Sequence, residues 1–207
     1  RKKMARKTFE TTFLYDKKVF EWMGGKIKKN KDYLSNYKKI KLRYGENPHQ
    51  NSFLYKKSFN SFHDNLMQGQ NLSFNNLKDV EAAYECLNEF KSPTCVIVKH
   101  CSPCGVASSQ NILQALKNSL STDPISSFGG IIALNRTVDE KTAKFLIKNY
   151  YEIILAPNFT EKSLNILKDK SKLKQIKTKN IKLNLKPEIY SVNDGYVSQT
   201  KNKVVIN

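Results

Sequence analysis

The sequence predicts an α/β domain with a largely parallel sheet, preceded by an N-terminal helix and a basic linker. Three observations carry this expectation. Short continuous apolar runs at Cys95 to Val98, Ile131 to Leu134 and Ile153 to Ala156 have the length and make-up of strands buried on both faces. Helix-period segments alternate with them: Val80, Ala83, Tyr84, Leu87 and Phe90 before the first run, Ile112, Ala115, Leu116 and Leu120 after it. The chain has 207 residues, 39% apolar and 11% aromatic, which suffices for one large domain or one domain and part of another.

Taken in order, residues 4 to 23 place Phe9, Phe13, Phe20 and Met23 near helical spacing, with Lys17, Lys18 and Glu21 between them and Gly24-Gly25 as the stop. Residues 26 to 40 are Lys-rich and lack a steady period, as a linker would. RYGENPHQ (Arg43 to Gln50) is a turn-rich loop, and Ser52 to Tyr55 a short strand candidate. Residues 60 to 71 show no period. A helix over Asp79 to Phe90 has Asn75 and Asn76 as cap candidates and Pro93 as its breaker. After the strand at 95 to 98 and the helix around Leu116, a polar loop runs from Ser121 to Gly130. A second strand (131 to 134), a third helix (Asp139 to Tyr150) and a third strand (153 to 156) complete the alternation. Beyond residue 161, Leu164, Ile166 and Leu167 mark a short helix, and the Lys-rich stretch after it remains unassigned.

The formal charge of +18 invites a nucleic-acid reading, but its make-up and position argue against one. Only Arg1, Arg6, Arg43 and Arg136 are Arg, whereas readers of phosphate and guanine favour the bidentate guanidinium. Residues 1 to 42 carry 14 basic and 4 acidic groups, residues 162 to 186 carry 9 and 1, and residues 43 to 161 carry 11 of each. The neutral middle is where the candidate site residues fall. No stretch approaches the roughly 20 apolar residues of a membrane span. No secretory leader is apparent, so the expectation is a soluble cytoplasmic protein whose four Cys are reduced. The chain opens on Arg1, and is read as cut from something longer.

Lys99 and His100 follow the first buried strand directly and precede Ser102-Pro103-Cys104-Gly105, read as a turn. Ligands of open α/β sheets lie beyond carboxyl strand ends, so a catalytic pair is expected here. Both side chains can enter one pocket only if the strand ends at them. A neighbouring ammonium favours the neutral imidazole, a usable general base. The plain alternative is a surface Lys beside a satisfied His. His100, Cys101 and Cys104 with Cys95 could be drawn as a zinc site, but there is one C-x-x-C pair with no second pair, so no metal is expected. Ser126 to Gly130 could bind a phosphate or carboxamide through its amides, or be a plain tight turn. Arg43 stands out by scarcity in a Lys-rich chain, as a site wanting bidentate geometry.

RYGENPHQ, SFNNLKDVEAA, CVIVKHCSPCGVA, TDPISSFGGIIALNR and EIILAP occur together in the order and spacing of a bifunctional purine-biosynthesis family. That family joins an AICAR transformylase to an IMP cyclohydrolase, and the resemblance covers nearly the whole chain. MARKTFETTFLYD resembles the last helix of its cyclohydrolase domain, and VNDGYVSQ a point about halfway through its transformylase domain. The resemblance implies residues 1–42 as that helix and linker, and residues 43–207 as the first of two deaminase-like α/β halves. It implies formyl transfer from 10-formyltetrahydrofolate to the 5-amino group of AICAR, giving FAICAR, then cyclisation to IMP. It implies His100 as base with Lys99 as its partner, Arg43 and Tyr44 at the nucleotide, Asn76, Gly129 and Glu152 lining the substrate pocket, and His49 assisting. A homodimer with sites shared between subunits is implied as well. The chain departs from the family's usual Asn-Pro-Cys-Gly in having Ser102 before Pro103, and the turn is expected to survive. The second transformylase half and the cyclohydrolase catalytic residues would lie outside the chain, so the fragment alone is expected to be inactive. The competing readings are a basic nucleic-acid-binding protein and an inactive truncated remnant.

Overall fold

The computed structural model describes residues 1–25, 34, 37–56, 61–179, 181 and 187–202. Most of the linker at 26 to 40 and much of the Lys-rich stretch after 179 lie outside the described residues. The chain divides into two units, Arg1–Lys38 and Lys39–Asn207. In the first, α1 (Lys2–Trp22) realises the N-terminal helix, ends at Gly24 with φ 81, and has no buried residue.

The second unit begins at the ladder of β1 (Lys38–Lys41) and β2 (Phe53–Lys56). It then builds a six-stranded sheet from β3 (Leu66–Gln68), β4 (Thr94–Lys99), β5 (Ser102–Ser108), β6 (Ile131–Leu134), β7 (Ile153–Ala156) and β8 (Lys174–Lys177), in the order β3-β8-β7-β6-β4-β5. Helix α2 (Phe74–Asn88) packs on one face, and α3 (Ile112–Thr122), α5 (Glu140–Leu146) and α6 (Glu161–Leu167) on the other. Strand alternation divides the core between the two faces. Val96, Val98, Ile131, Ala133, Ile153 and Leu155 meet Val80, Ala83 and Leu87 of α2. Ile97, Ile132, Leu134 and Ile154 meet Ala115, Leu116, Ala143 and Leu167. Burial on both faces is why these strands read as unbroken apolar runs. A last hairpin pairs β9 (Glu188–Val192) with β10 (Gly195–Gln199), and Lys201 beyond it bridges Glu85 at 2.5 Å and Glu188 at 3.0 Å. Among the described residues no helix is long and apolar enough to cross a membrane.

The α/β class holds, with parallel pairing at the centre, where β6, β7 and β8 run side by side through α5 and α6 crossovers. The flanks are antiparallel: β4 runs against β6, β5 against β4, and β3 against β8. Lys99 therefore does lie at the carboxyl end of its own strand. The same edge, however, carries the amino ends of β5, β6, β7 and β8, so the strand-end rule describes only β4 and the short β3 among the six strands.

The segment Ser102-Pro103-Cys104-Gly105 is strand, not turn. Lys99 pairs with Ser102, so the chain reverses one step earlier through His100 (φ 54) and Cys101 (φ 61). Positive φ at both central residues of a two-residue loop marks the I′ type, whose twist suits a tight hairpin. Pro103 is tolerated because β5 is the outer strand, and the register shift opposite Ile97 and Val98 leaves Cys104 as the bulged residue. A left-handed conformation costs a side-chain-bearing residue roughly 1–2 kcal/mol. Replacing Cys101 by Gly is expected to raise stability by about 1 kcal/mol in urea unfolding. An unchanged or lower midpoint would mean that the turn carries no such strain.

Several smaller elements differ from expectation. The cap of α2 is Ser73, whose Oγ accepts from Asn76 N at 3.1 Å. Asn76 completes the box by accepting from Ser73 N at 3.2 Å. The polar loop 121 to 130 contains the single turn α4 (Pro124–Ser127), capped by Asp123. Helix α5 stops at Leu146, four residues short, because the chain tightens through Lys148 N to Phe145 O before Tyr150 turns its carbonyl to Gly129. Strand β8 emerges from the unassigned Lys-rich stretch, and β3 from the segment without a period.

Candidate functional site

The edge where β4 ends and β6 to β8 begin brings several of the predicted residues together. Lys99, half-buried, donates from Nζ to Phe128 O at 3.1 Å, which ties the end of β4 to the loop after α4. That loop is held by Gly129 N to Tyr150 O at 3.0 Å and Gly130 N to Ser127 O at 3.1 Å. Gly129 has φ 73, a conformation any other residue would adopt under strain. At Gly130 a Cβ would meet Val98 O at 3.1 Å and Ser127 O at 3.2 Å, so the loop lies tight against β4. Phe128 is exposed with its ring centroid 5.7 Å from that of Tyr150.

One strand further along, Glu152 N donates to Gly130 O at 3.1 Å and Glu152 O accepts from Lys174 N at 3.0 Å. The Glu152 carboxylate accepts on Oε1 from Asn76 Nδ2 at 2.8 Å and from Lys174 Nζ at 3.2 Å. Asn76 thus caps α2 and reaches Glu152 at once, with its two amide ends used separately. Lys174 escaped sequence reasoning because it is one of many Lys in a stretch with no period; only its alternate spacing with Ile176 hinted at a strand.

The loop from Arg43 to Gln50 docks on the start of α2. Arg43 N donates to Leu72 O at 3.3 Å, and Tyr44 O accepts from Phe74 N at 3.1 Å and from Ser52 Oγ at 2.7 Å. Asn75 Nδ2 reaches Glu46 O at 3.0 Å, and Gln50 closes the loop through Gly45 N to Gln50 O at 2.8 Å. The Arg43 guanidinium is exposed and its carbon lies 5.2 Å from the Tyr44 ring centroid. Backbone pairing with Leu72 and Phe74 therefore places Arg43 and Tyr44 beside the first turn of the helix that carries Asn76.

His100 projects from the hairpin turn as an exposed side chain. Its neighbour Cys101 anchors the turn, donating from N to Asp79 Oδ1 of α2 at 2.7 Å. His49 is exposed on the Asn47 to Gln50 turn, and among the described residues nothing ties its ring to the other candidates. The four thiols are free: Cys95 is buried in β4, Cys101 exposed, and Cys86 and Cys104 half-buried. Burial pushes the Cys95 thiol up to about 12, and partial burial with the Asp79 carboxylate raises that of Cys101. Raised thiols are poor ligands. Among the described residues no group of three or more His, Cys, Asp and Glu is placed to hold a metal.

The edge of this mixed α/β sheet thus collects an ammonium, a carboxamide, a carboxylate and a glycine loop, groups of the kind that can hold a small polar ligand. Comparison with known proteins is specific. The chain belongs to the AICARFT/IMPCHase bienzyme family, whose sequence profile matches residues 1–207. Bifunctional purine biosynthesis protein PurH of Caldicellulosiruptor saccharolyticus is 41% identical over 99% of the chain and 42% of its own length. The PurH proteins of Thermoanaerobacter sp. and Clostridium botulinum are 44% and 41% identical, over 85% and 87% of the chain and 36% and 37% of their own lengths. The chain thus spans about two fifths of the length of the curated relatives it matches.

Proposed function

We propose that residues 43–207 form the first half of an AICAR transformylase domain, and residues 1–42 the closing helix of a cyclohydrolase domain with its linker. The full-length protein then transfers a formyl group from 10-formyltetrahydrofolate to the 5-amino group of AICAR, and the upstream domain closes the ring to IMP. The carrying observation is the convergence of Lys99, the Gly129 loop, Asn76 and Glu152 on one sheet edge in a chain of this family.

The aromatic amine is a weak nucleophile, so its proton must leave as the new C–N bond forms. His100, exposed on a turn braced by Asp79, takes that proton. The Lys99 ammonium stabilises the oxyanion that develops on the formyl carbon, and collapse of that intermediate expels the folate nitrogen, which is then protonated. Arg43, with Tyr44 beside it, holds the nucleotide phosphate by bidentate contact. Asn76, Gly129 and Glu152 line the nucleotide pocket, and His49 assists from the loop above. The second half, a homodimer partner sharing the sites, and a cytoplasmic setting complete the reading.

The test uses the full-length protein with AICAR and 10-formyltetrahydrofolate, following tetrahydrofolate release and FAICAR formation. Both are expected to appear in equal amounts. Folate turnover that does not depend on AICAR, or none at all, would reject the reading.

A further inference from the structure

A buried ammonium at the start of β8 is an unusual choice for a sheet strand. The Lys174 side chain is 4% exposed, whereas its partner Glu152 is 31% exposed. Taking an ammonium out of water is costly unless it is paired, and a well-packed apolar residue commonly serves stability as well. The fold nevertheless builds a place for it. Gly69 has φ 96, and a Cβ there would lie 2.8 Å from Lys174 Cγ, so the aliphatic stem runs through space that a side chain on β3's end would fill.

The hydrogen bonds explain what the ammonium does. Lys174 Nζ and Asn76 Nδ2 converge on the same oxygen, Glu152 Oε1, from β8 and from α2. Asn76 cannot swing away without breaking its bond from Ser73 N. Oε1 is therefore held from two sides, while Oε2 has no partner among the described residues and Glu152 stays partly open to solvent. A carboxylate with one oxygen locked and the other open is a pre-set acceptor for a donor on a ligand.

We propose that Lys174 is a positioning residue that locks Glu152 through Oε1 so that Oε2 receives an N–H or O–H donor of the nucleotide substrate. This rests on the formyltransferase reading of the same edge.

The full-length protein is assayed with nucleotide and folate varied separately, in the variants Glu152→Gln, Lys174→Met and the two combined. Lys174→Met is expected to raise the nucleotide KM about tenfold, with the folate KM and kcat moving far less, and to add little on top of Glu152→Gln. An unchanged nucleotide KM in Lys174→Met beside a raised one in Glu152→Gln overturns the positioning role alone. An unchanged nucleotide KM in Glu152→Gln removes Glu152 from the nucleotide site, and the positioning role with it. Equal loss for both substrates marks Lys174 as a purely structural residue. If Lys174→Met does not fold, Glu152→Gln is compared with the double variant, which leaves no charge buried alone. A further large rise in nucleotide KM there defeats the proposal, and no further rise supports it.

Discussion

Exchanging His100 for Ala or Asn in the full-length protein is expected to lower kcat for formyl transfer by about 10²–10⁴-fold, the usual range for loss of a general base. The nucleotide KM should stay within a few-fold, because His100 sits on a turn held by backbone contacts and not by its own ring. Two substitutions are needed because of the turn. At φ 54 an Ala adds roughly 1 kcal/mol of backbone strain, whereas Asn adopts the left-handed region readily. Losses common to both variants report on the missing base, and a loss confined to Ala reports on the turn. Turnover retained in His100→Asn would remove His100 from the proton transfer.

The second large effect is on folding. Gly105 lies in β5 under α3, where an added Cβ would stand 2.4 Å from Ser119 O and 3.2 Å from Ser119 C. Both atoms are backbone, so no side chain can swing aside; α3 must lift or β5 must bend. Overpacking of this kind costs about 1–3 kcal/mol, and more when the obstacle is main chain. Gly105→Ala is therefore expected to lower the thermal midpoint by roughly 3–10 °C, and Gly105→Val to prevent stable folding. Helix α3 leads directly into α4 and the Gly129 loop, so the surviving Ala variant should also bind nucleotide less tightly. A midpoint unchanged within about 1 °C would show that α3 moves off β5 at no cost.

The apolar runs at 95 to 98, 131 to 134 and 153 to 156 were legible because burial on both faces writes itself as uninterrupted Val, Ile and Leu. Strand direction is not written that way: the same four apolar residues pair parallel or antiparallel. The turn at His100 and Cys101 reverses β5 against β4, and the chain then crosses through α3 so that β6 runs against β4 as well. The hairpin itself was hidden, since neither residue is the Gly or Asn that usually marks left-handed turns. Ser73 was missed as a cap because Asn76, three residues on, is the other half of the same box. Of the candidate residues, Lys99, Asn76, Gly129 and Glu152 lie at one edge, linked by hydrogen bonds from β4 to the loop after α4 and from α2 to the residue before β7. Arg43 and Tyr44 are docked by backbone pairing with residues 72 and 74, a contact that no local pattern encodes.

By itself the sequence determined the α/β class, the membership of the central strands, and the neutral middle of a strongly basic chain, because these depend on residue type and spacing alone. Its collinear motifs also determined the family. Only the tertiary structure decided that the sheet is mixed, which of its edges collects the candidate residues, and that one Lys among 32 is buried against Glu152. Periodicity reports how a residue faces its own element. Which oxygen an ammonium meets depends on a strand 22 residues away in sequence and adjacent in space.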